Sequence, residues 1–378
     1  MSLIRVLLVG VGGYGENYVK ELLNPNAPKD VQVVGVSDPV ARRSGSWDLI
    51  EAAGIPVYDD IEQFYAEHQA ELAIVSSPIH LHAPQVIGCL KHGSDVLCEK
   101  PVAALYKQAQ EMEDARRKSG KFVAVGYQLS FSRDVLAMKQ DILDGKYGDP
   151  IVFKAFHAMR RGAKYYARSS WAGKREVNGH PIYDSPLSNA CAHQLHNMLY
   201  LLGDARDTAA QMKVTDARLY RGNPNVENFD IVCVHGETPS GVKVQYQTAH
   251  PIGEQKIGPE SLYRFTKGEN RSEKGGFVGY LNDGTVIDYN KVEKGERLQK
   301  LYDALDCIRN GTTPVCTIET AMPHVAVFNA LQEYPIAAIP EENVRVWEDN
   351  GDRFWSVAQL EQKMQQAYEL EQLLELTE

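Results

Sequence analysis

A glycine-rich turn near the start of the chain has the spacing of a phosphate-binding site. The turn, GVGGYG at residues 10–15, follows the apolar run RVLLV and precedes the helical pattern ENYVKELL. In such a turn the first glycine allows a sharp bend, the second lets the backbone approach a pyrophosphate, and the third lets helix and strand pack closely. The spacing therefore predicts dinucleotide contacts at Gly10, Gly12, Gly13, Tyr14 and Gly15.

Asp38 ends the next apolar run, VQVVGVSD. A carboxylate about 20 residues beyond the glycine turn can accept hydrogen bonds from an adenosine ribose hydroxyl, which favours NAD. Arg42 and Arg43 leave NADP open, because a guanidinium there could pair with a 2′-phosphate. The alternative interpretation is a plain glycine-rich turn with Asp38 as a strand-end cap.

Glu99, Lys100 and Pro101 follow another apolar run, DVLC. A lysine ammonium beside a nicotinamide can hydrogen-bond a substrate oxygen, stabilise the negative charge that develops during hydride transfer, and take part in proton movement. Glu99 can position that lysine, and Pro101 restricts the backbone around it. The alternative is a strand-end salt bridge between Glu99 and Lys100, which would have little functional meaning.

These residues need elements that bring them together. Up to residue 127, apolar runs such as ELAIV and KFVAVG alternate with helical patterns such as IEQFYAEHQ. This alternation predicts a doubly wound parallel sheet of the Rossmann type, in which ligands bind at the carboxyl ends of the strands. The residues expected at that edge are Ser76, Ser77, Pro78, Glu99, Lys100, Tyr127 and Gln128.

The pattern changes after about residue 150 to longer strands joined by hairpin turns, with Pro239–Gly241 and Asp283–Gly284 as turns. We therefore predict two domains, an NAD(P)-binding domain at 1–127 and an α+β substrate-binding and oligomerisation domain at 128–378. The second domain has a large, mainly antiparallel, open-faced sheet, and its C-terminal helices partly pack back on the first. The final stretch predicts a polar helix that packs on the body, packs on a second subunit, or frays.

Several of these segments together resemble one known family. The glycine turn, SSPIHLH, EKP, VGYQ and the later IETAMPHVAVFNAL are similar to the Gfo/Idh/MocA family, named for glucose-fructose oxidoreductase and inositol dehydrogenase. The resemblance implies a nicotinamide-dependent dehydrogenase or reductase for a sugar, polyol or related alcohol, with Lys100 at the reacting centre. It also implies that Ser77, Pro78 and His82 lie near the nicotinamide, and that the chain forms a homodimer or homotetramer through the second-domain sheet. His82 could otherwise be an ordinary helix-start histidine.

The family usually carries an aspartate, a histidine four residues later and an aspartate three residues after that, on one helix. Here these positions hold Asn189, His193 and His196, within a helical pattern at 186–202. An aspartate would raise the pKa of the neighbouring histidine, whereas an asparagine can only orient the ring. His193 is thus the expected acid/base histidine, with Lys100 or Asp184 taking a larger share of proton transfer.

Two other interpretations of the histidines remain open. His193 and His196 could be metal ligands, with His180 or Asp184 completing the site, or they could be satisfied at a domain interface. We favour a substrate role and predict no metal. The loop before the helix, rich in Arg, Tyr and Trp, suits stacking on a sugar, although it could instead cross to a partner subunit. The predicted substrate contacts are Lys100, Tyr127, Tyr183, Asp184, Asn189, His193 and His196.

Composition excludes several other classes of protein. The net charge of −10 disfavours nucleic acid as a partner, and no run approaches the roughly 20 apolar residues that span a membrane. The six cysteines form no CxxC pair, which is typical of reduced thiols in the cytoplasm. Two alternative functions stay open: an enzyme that retains NAD and catalyses glycoside cleavage or epimerisation through a transient ketone, and a non-catalytic nucleotide-responsive regulator. The intact EKP segment weighs against the regulator.

Overall fold

The alternating strands and helices of the first part of the chain form one compact unit, and the hairpin-rich part forms another. The computed structural model describes residues 3–377. The first unit runs to Phe131 and also includes Glu296–Met322, whereas the second comprises Ser132–Gly295 and the chain from Pro323 onward. We had predicted the first domain to end at residue 127.

The strands within the described residues are β1 Ile4–Val9, β2 Val31–Ser37, β3 Val57–Tyr58, β4 Leu72–Val75, β5 Asp95–Cys98, β6 Val123–Val125, β7 Pro150–Met159, β8 Glu176–Val177, β9 His180–Pro181, β10 Lys213–Arg221, β11 Ile231–Glu237, β12 Lys243–Ala249, β13 Lys256–Phe265, β14 Gly268–Glu273, β15 Gly276–Leu281, β16 Val286–Asp288, β17 Ile336–Ala338, β18 Val344–Asp349 and β19 Asp352–Val357.

The α-helices of the same residues are α1 Gly15–Leu22, α2 Trp47–Ala52, α3 Ile61–Glu67, α4 Ile79–Lys91, α5 Tyr106–Ser119, α6 Arg133–Leu143, α7 Ala163–Ala167, α8 Ala192–Leu201, α9 Gln299–Asn310, α10 Ile318–Ala330 and α11 Leu360–Leu370. None of them, within residues 3–377, has the length and apolar character that crossing a membrane requires.

The first unit contains a six-stranded sheet in the order β3-β2-β1-β4-β5-β6. Every neighbouring pair is parallel. β4 is buried along its whole length, as expected for a strand covered on both faces. The chain order reverses between β1 and β4, and the carboxyl ends of strands at such a reversal form the usual ligand crevice. The predicted Rossmann-type sheet is confirmed.

The second unit contains a nine-stranded sheet in the order β16-β15-β14-β13-β7-β12-β11-β10-β17. The β7–β12 and β10–β17 pairs are parallel, and the other neighbours are antiparallel. The predicted turns are present, because Gly241 N–H bonds to Thr238 O at 2.9 Å and Gly284 N–H to Leu281 O at 3.0 Å. The predicted large, mainly antiparallel sheet is thus confirmed.

The C-terminal helix α11 covers part of one face of this sheet. Its buried residues Leu360, Met364, Ala367 and Tyr368 lie on one side of the helix and join a core cluster with residues of β7, β10, β11 and β12. Lys154 Nζ donates to Tyr368 O at 2.8 Å, which places a cation at the negative end of the helix dipole. Of the three alternatives for the terminal helix, the structure shows packing on its own unit.

The predicted continuous helix at 186–202 was wrong in one respect. Pro186–Ala190 forms a π-helical turn, Cys191 leaves the helical region with φ of −112°, and α8 begins only at Ala192. Asn189 therefore does not lie on the same α-helix as His193 and His196. Single π-helical turns are frequent at functional sites.

Candidate active site

The glycine turn is packed tightly on one side and open on the other. Gly10 has φ of +81°, and a side chain there would place its Cβ 2.7 Å from the backbone nitrogen of Ser77. Ser76 Oγ donates to Gly10 O at 2.7 Å and fixes the turn against the end of β4. By contrast, nothing lies within 4 Å of a Cβ added at Gly12 or Gly13. The backbone of Gly12 and Gly13 is therefore accessible on the open side of the turn.

This open backbone fits the dinucleotide that the turn predicts. Gly12 and Gly13 precede α1, whose amino-terminal end carries a partial positive charge. Exposed glycine N–H groups next to such a helix end bind phosphate groups well. Gly12 and Gly13 would hold the pyrophosphate, while Gly10 and Gly15 serve the packing of the turn.

Asp38 connects the end of β2 to the glycine turn. Its Oδ2 accepts from Val11 N–H and its Oδ1 from Val40 N–H, both at 2.9 Å. A carboxylate has about four acceptor positions, so these two bonds leave room for a ribose hydroxyl. Nearby, the Arg42 guanidinium lies 5.5 Å from the centre of the Trp47 ring. Asp38 therefore caps the end of the strand, as in the alternative interpretation. Its carboxylate also retains acceptor positions that a ribose hydroxyl could use.

Glu99 is held by an ion pair that the sequence did not indicate. Lys300, from α9, donates its ammonium to Glu99 Oε1, and Tyr18 O–H donates to the same oxygen at 2.6 Å. The exposed fraction of the side chain is 1% for Lys300 and 9% for Glu99. Lys100 gives its backbone N–H to Glu99 Oε2 at 3.2 Å. Glu99 therefore accepts the ammonium of Lys300 and also fixes the backbone of Lys100.

The charge state of Glu99 follows from this environment. Burial alone would raise the pKa of its carboxyl, but the charge and hydrogen bond of Lys300 outweigh burial and hold that pKa below its usual value. The Lys300 ammonium also bonds to Gly126 O at 3.3 Å and lies 4.5 Å from the centre of the Tyr14 ring. One buried cation thus connects the glycine turn with the ends of β5 and β6.

Gly126 is a close-approach position in this network. A Cβ there would lie 2.8 Å from Glu99 Oε2 and 3.0 Å from Lys300 Nζ. Any larger residue would push against both members of the ion pair. The glycine of VGYQ therefore leaves the space in which Glu99 and Lys300 come together.

His82 ties two strand-end loops together. It lies inside α4, is buried, and has its Nδ1 2.9 Å from Pro101 O and its Nε2 2.9 Å from Ser77 O. Burial lowers the pKa of His82, although both carbonyl contacts oppose that effect. A neutral ring donates to only one carbonyl at a time. The ring therefore braces the SSP and EKP segments, and its predicted cofactor contact stays a prediction.

The remaining predicted residues of the first unit differ in exposure. Lys100 and Pro78 are half-buried, Gln128 is exposed, and Tyr127 is 0% exposed. Ser77 Oγ donates to the Gln85 side chain. Lys100 therefore has accessible surface at the strand edge, whereas Tyr127 belongs to the core.

In the second unit, Asp184 and Asn189 form a hydrogen-bonded pair. Asn189 Nδ2 donates to Asp184 Oδ1 at 2.9 Å, and Gly173 N–H donates to Asp184 Oδ2 at 2.6 Å. Asp184 is buried and Tyr183 before it has φ of +52°, a strained conformation for a bulky residue. Asp184 therefore places a carboxylate within hydrogen-bonding distance of the Asn189 side chain.

The two histidines of α8 have different environments. His193 is half-buried, whereas His196 is 0% exposed, with its ring stacked 6.3 Å from that of Tyr200. Burial, together with the charges of His324 and Lys139, holds the pKa of His196 well below its usual value. His196 thus lies in the core of the second unit. Within the described residues, no group of three or more His, Cys, Asp or Glu side chains is arranged to hold a metal.

Comparison with known proteins agrees with the geometry of the first unit. Residues 4–127 match the sequence profile described as the oxidoreductase family with an NAD-binding Rossmann fold, GFO_IDH_MocA.

Residues 4–127 are thus similar to the Gfo/Idh/MocA family.

The relatives of this chain are named for several carbohydrates. An inositol 2-dehydrogenase of Rubrobacter xylanophilus is 33% identical over 155 residues, which is 41% of this chain and 44% of that protein. A 2,7-anhydro-N-acetylneuraminate hydratase of Mediterraneibacter gnavus is 26% identical over 204 residues, 54% of this chain and 50% of that protein. The chain spans about half the length of the curated relatives it matches.

The fold extends further than the sequence similarity. The WlbA dehydrogenase of Bordetella pertussis, solved with NADH and UDP-GlcNAcA, superposes with a TM-score of 0.70 at 19% identity. The match covers 87% of this chain and 95% of that one. This similarity shows that both units share their fold with that protein.

Sequence reasoning missed Lys300 and Tyr18, which complete the hydrogen bonding of Glu99 in the first unit. One signal for Lys300 was present. Leu301, Ala304 and Leu305 are apolar and lie on the face of α9 that Lys300 shares. A lysine in an apolar stripe needs a buried carboxylate partner. Nothing in the sequence indicates that Glu99 is that partner.

Proposed function

We propose that the protein is an NAD-dependent oxidoreductase that transfers hydride between the hydroxyl-bearing carbon of a sugar, polyol or related alcohol and nicotinamide. The observation that carries this proposal is the glycine turn, open at Gly12 and Gly13 and tied to Asp38, in a unit whose profile is that of NAD-binding oxidoreductases. The carboxylate at Asp38 favours NAD over NADP because it would repel a 2′-phosphate.

Lys100 is the proposed catalytic residue of the first unit. Its backbone is fixed by Glu99 and its side chain is half-buried at the strand edge. An ammonium held there can donate a hydrogen bond to the reacting hydroxyl oxygen and stabilise the charge that forms on it. Bound NAD would supply the redox chemistry by accepting the hydride.

His193 is the proposed acid/base residue of the second unit. It is half-buried near the start of α8, and the π-helical turn before it carries Asn189, bonded to Asp184. Asp184 supports proton transfer there as a nearby acid. Two further roles stay predictions. One is substrate binding by Tyr127, Tyr183, Asn189 and His196, and the other is the joint action of His193 and Lys100 on one substrate.

NADH formation tests this proposal directly. Absorbance would be followed at saturating NAD with a panel of sugars and polyols, using wild type, Lys100→Met and Lys91→Met, in which an exposed lysine of α4 is replaced. We expect at least one substrate to give NADH, a loss of about a hundredfold or more in kcat for Lys100→Met, and unchanged kcat for Lys91→Met. Unchanged turnover in Lys100→Met would remove Lys100 from its role.

A second candidate function keeps NAD bound and recycles it. A relative of this chain is named a hydratase rather than a dehydrogenase, which favours a net non-redox reaction through a transient ketone. Product analysis separates the two functions. A product formed in large excess over NADH supports the recycling enzyme, whereas equal amounts of oxidised product and NADH support the dehydrogenase.

We also propose a cytoplasmic location and assembly through the second-unit sheet. All six cysteines are buried and none of them forms a disulfide, as in reduced proteins. Because α11 covers part of one sheet face, a homodimer or homotetramer would use the remaining strands of that sheet. Analytical ultracentrifugation of the full chain measures the number of subunits in the assembly.

A further inference from the structure

The second unit gathers aromatic and cationic side chains at the carboxyl ends of β7 and β12. These strands are parallel, with His157 in register with Thr248. His250 follows directly after β12, and Arg161 lies just beyond β7. Because carboxyl ends of neighbouring parallel strands meet at one edge of a sheet, these residues come together although they are far apart in sequence.

The phenol ring of Tyr165 is the centre of this group. The guanidinium carbon of Arg168 lies 3.5 Å, and that of Arg161 4.8 Å, from the centre of the ring. The imidazole of His250 lies edge-on at 5.6 Å between ring centres. One aromatic ring thus contacts two guanidinium groups and an imidazole.

Tyr166 is hydrogen-bonded to His250. Tyr166 O–H lies 2.8 Å from His250 Nδ1. Burial holds the pKa of Tyr166 well above its usual value and that of His250 well below, so the hydroxyl keeps its proton and the ring is neutral. A hydroxyl that donates to Nδ1 leaves the ring proton on Nε2. His250 is 3% exposed, yet within residues 3–377 this Nε2 has no hydrogen-bond partner.

Two more buried nitrogens of the group share this property. His157 Nε2 and Arg161 Nε also lack a partner in the part of the chain that the structure describes, and His157 is 8% exposed. Buried polar groups in folded proteins are nearly always hydrogen-bonded, because leaving one unpaired is costly. Three such nitrogens in one neighbourhood indicate a missing hydrogen-bond partner, and Arg161 Nε, which is always a donor, requires an acceptor.

The charges around the group favour an anion as that acceptor. The charged groups that act on His157 and His250 are Arg161, Arg168 and Lys256, all cationic. The two acids that act on the neighbouring tyrosines, Asp184 and Asp230, already accept backbone N–H groups of Gly173, Gly222 and Asn223. The cluster is therefore rich in donors and poor in acceptors.

We propose that Arg161, His157 and His250 form an oxyanion site that binds the carboxylate or phosphate group of an acidic carbohydrate. A guanidinium matches the geometry of both groups, and neutral imidazole N–H groups add donors without adding charge. This inference rests on the proposed function and narrows its substrate class from sugars and polyols to sugar acids or sugar phosphates.

Binding measured without nicotinamide tests the site. Isothermal titration of wild type with glucose, glucuronate and glucose 6-phosphate compares one neutral probe with two acidic ones. We expect at least one acidic probe to bind about tenfold or more tightly than glucose, which is the difference that one charge-assisted hydrogen bond provides. The acidic probe that binds more tightly identifies the group as carboxylate or phosphate. Equal affinity for all three probes, or no binding of either acidic probe, would overturn the proposal.

Variants locate the binding. Arg161→Met and His250→Phe should each lower the affinity for the acidic probe about tenfold and leave the affinity for glucose unchanged. Arg345→Met, at an exposed arginine of β18, is the matched control and should bind as wild type does. Unfolding temperatures without ligand verify that each variant folds. Wild-type affinity in both variants would refute the site. Because no NAD is present, these outcomes are independent of whether hydride transfer occurs.

Discussion

Two buried carboxylates, one in each unit, have opposite charge preferences. Glu99 is paired with Lys300, and its pKa is held below the usual value even though burial opposes this. Asp230 is 0% exposed and accepts two backbone N–H groups at 2.8 Å, and burial raises its pKa to about 7. The difference indicates that an ammonium hydrogen-bonded to a buried acid outweighs burial, whereas two backbone amides and the more weakly acting charge of Arg221 do not.

The largest effect is expected when the cation that pairs with Glu99 is removed. Lys300→Met leaves a buried carboxylate, and breaking such a pair costs about 3–5 kcal/mol of unfolding free energy. Urea denaturation measures the loss. Lys20→Met, in the exposed pair with Glu16, is the control and should cost about 0–1 kcal/mol.

A double variant separates charge from packing. Adding Glu99→Gln to Lys300→Met removes the unpaired charge, so much of the lost stability should return. A double variant no more stable than Lys300→Met would show that the ion pair is not what holds Glu99 in its charged form.

Gly126→Ala should give the next largest effect. The added Cβ would lie 2.8 Å from Glu99 Oε2 and 3.0 Å from Lys300 Nζ, and such overpacking costs about 1–3 kcal/mol. Gly253→Ala is the control, because its Cβ would only contact Glu361 Oε1 at 3.4 Å. Equal unfolding free energies for both variants would mean that Glu99 and Lys300 can move apart freely.

Asp230 should give the opposite pH dependence to Glu99. Its folded pKa of about 7 lies above the ordinary 3.8, so between these values the folded chain binds more protons than the unfolded chain. This group's contribution to stability therefore falls as pH rises through that window, by at most about 1.4 kcal/mol per pH unit. For Glu99, whose folded pKa is lowered, the contribution is present above its unfolded pKa and is lost as pH falls.

Unfolding free energies of wild type and Asp230→Asn between pH 4 and pH 7 isolate this slope. We expect wild type to lose stability relative to the variant as pH rises. A constant difference across the range would show that Asp230 titrates normally.

The sequence predicted the parts of the site that depend on local pattern. The glycine turn and Asp38 were identified because the bend, the helix start and the strand end are each specified by neighbouring residues. The ion pair of Glu99 with Lys300 was not, since 201 residues separate the partners and only the folded sheet brings α9 to β5. The break at Cys191 was also missed, because apolar spacing continues across it and no glycine or proline marks it.

Residue type alone did not indicate burial either. Asn189, His193 and His196 have helical spacing, yet His196 lies in the core and Asn189 in a separate π-helical turn. The bond from Asn189 to Asp184 depends on the conformation of Tyr183 at positive φ, which no pattern in the sequence specifies.

Titration of NAD tests the central claim most directly. Isothermal titration would compare wild type, Asp38→Ala, and Asp59→Ala as a control at an exposed aspartate, with Lys100→Met measured alongside. We predict that Asp38→Ala lowers the affinity for NAD about tenfold and that Asp59→Ala leaves it unchanged. Lys100→Met should bind NAD with an affinity within about twofold of wild type and lose NADH formation. Wild-type NAD affinity in Asp38→Ala, or normal turnover in Lys100→Met, would contradict the account.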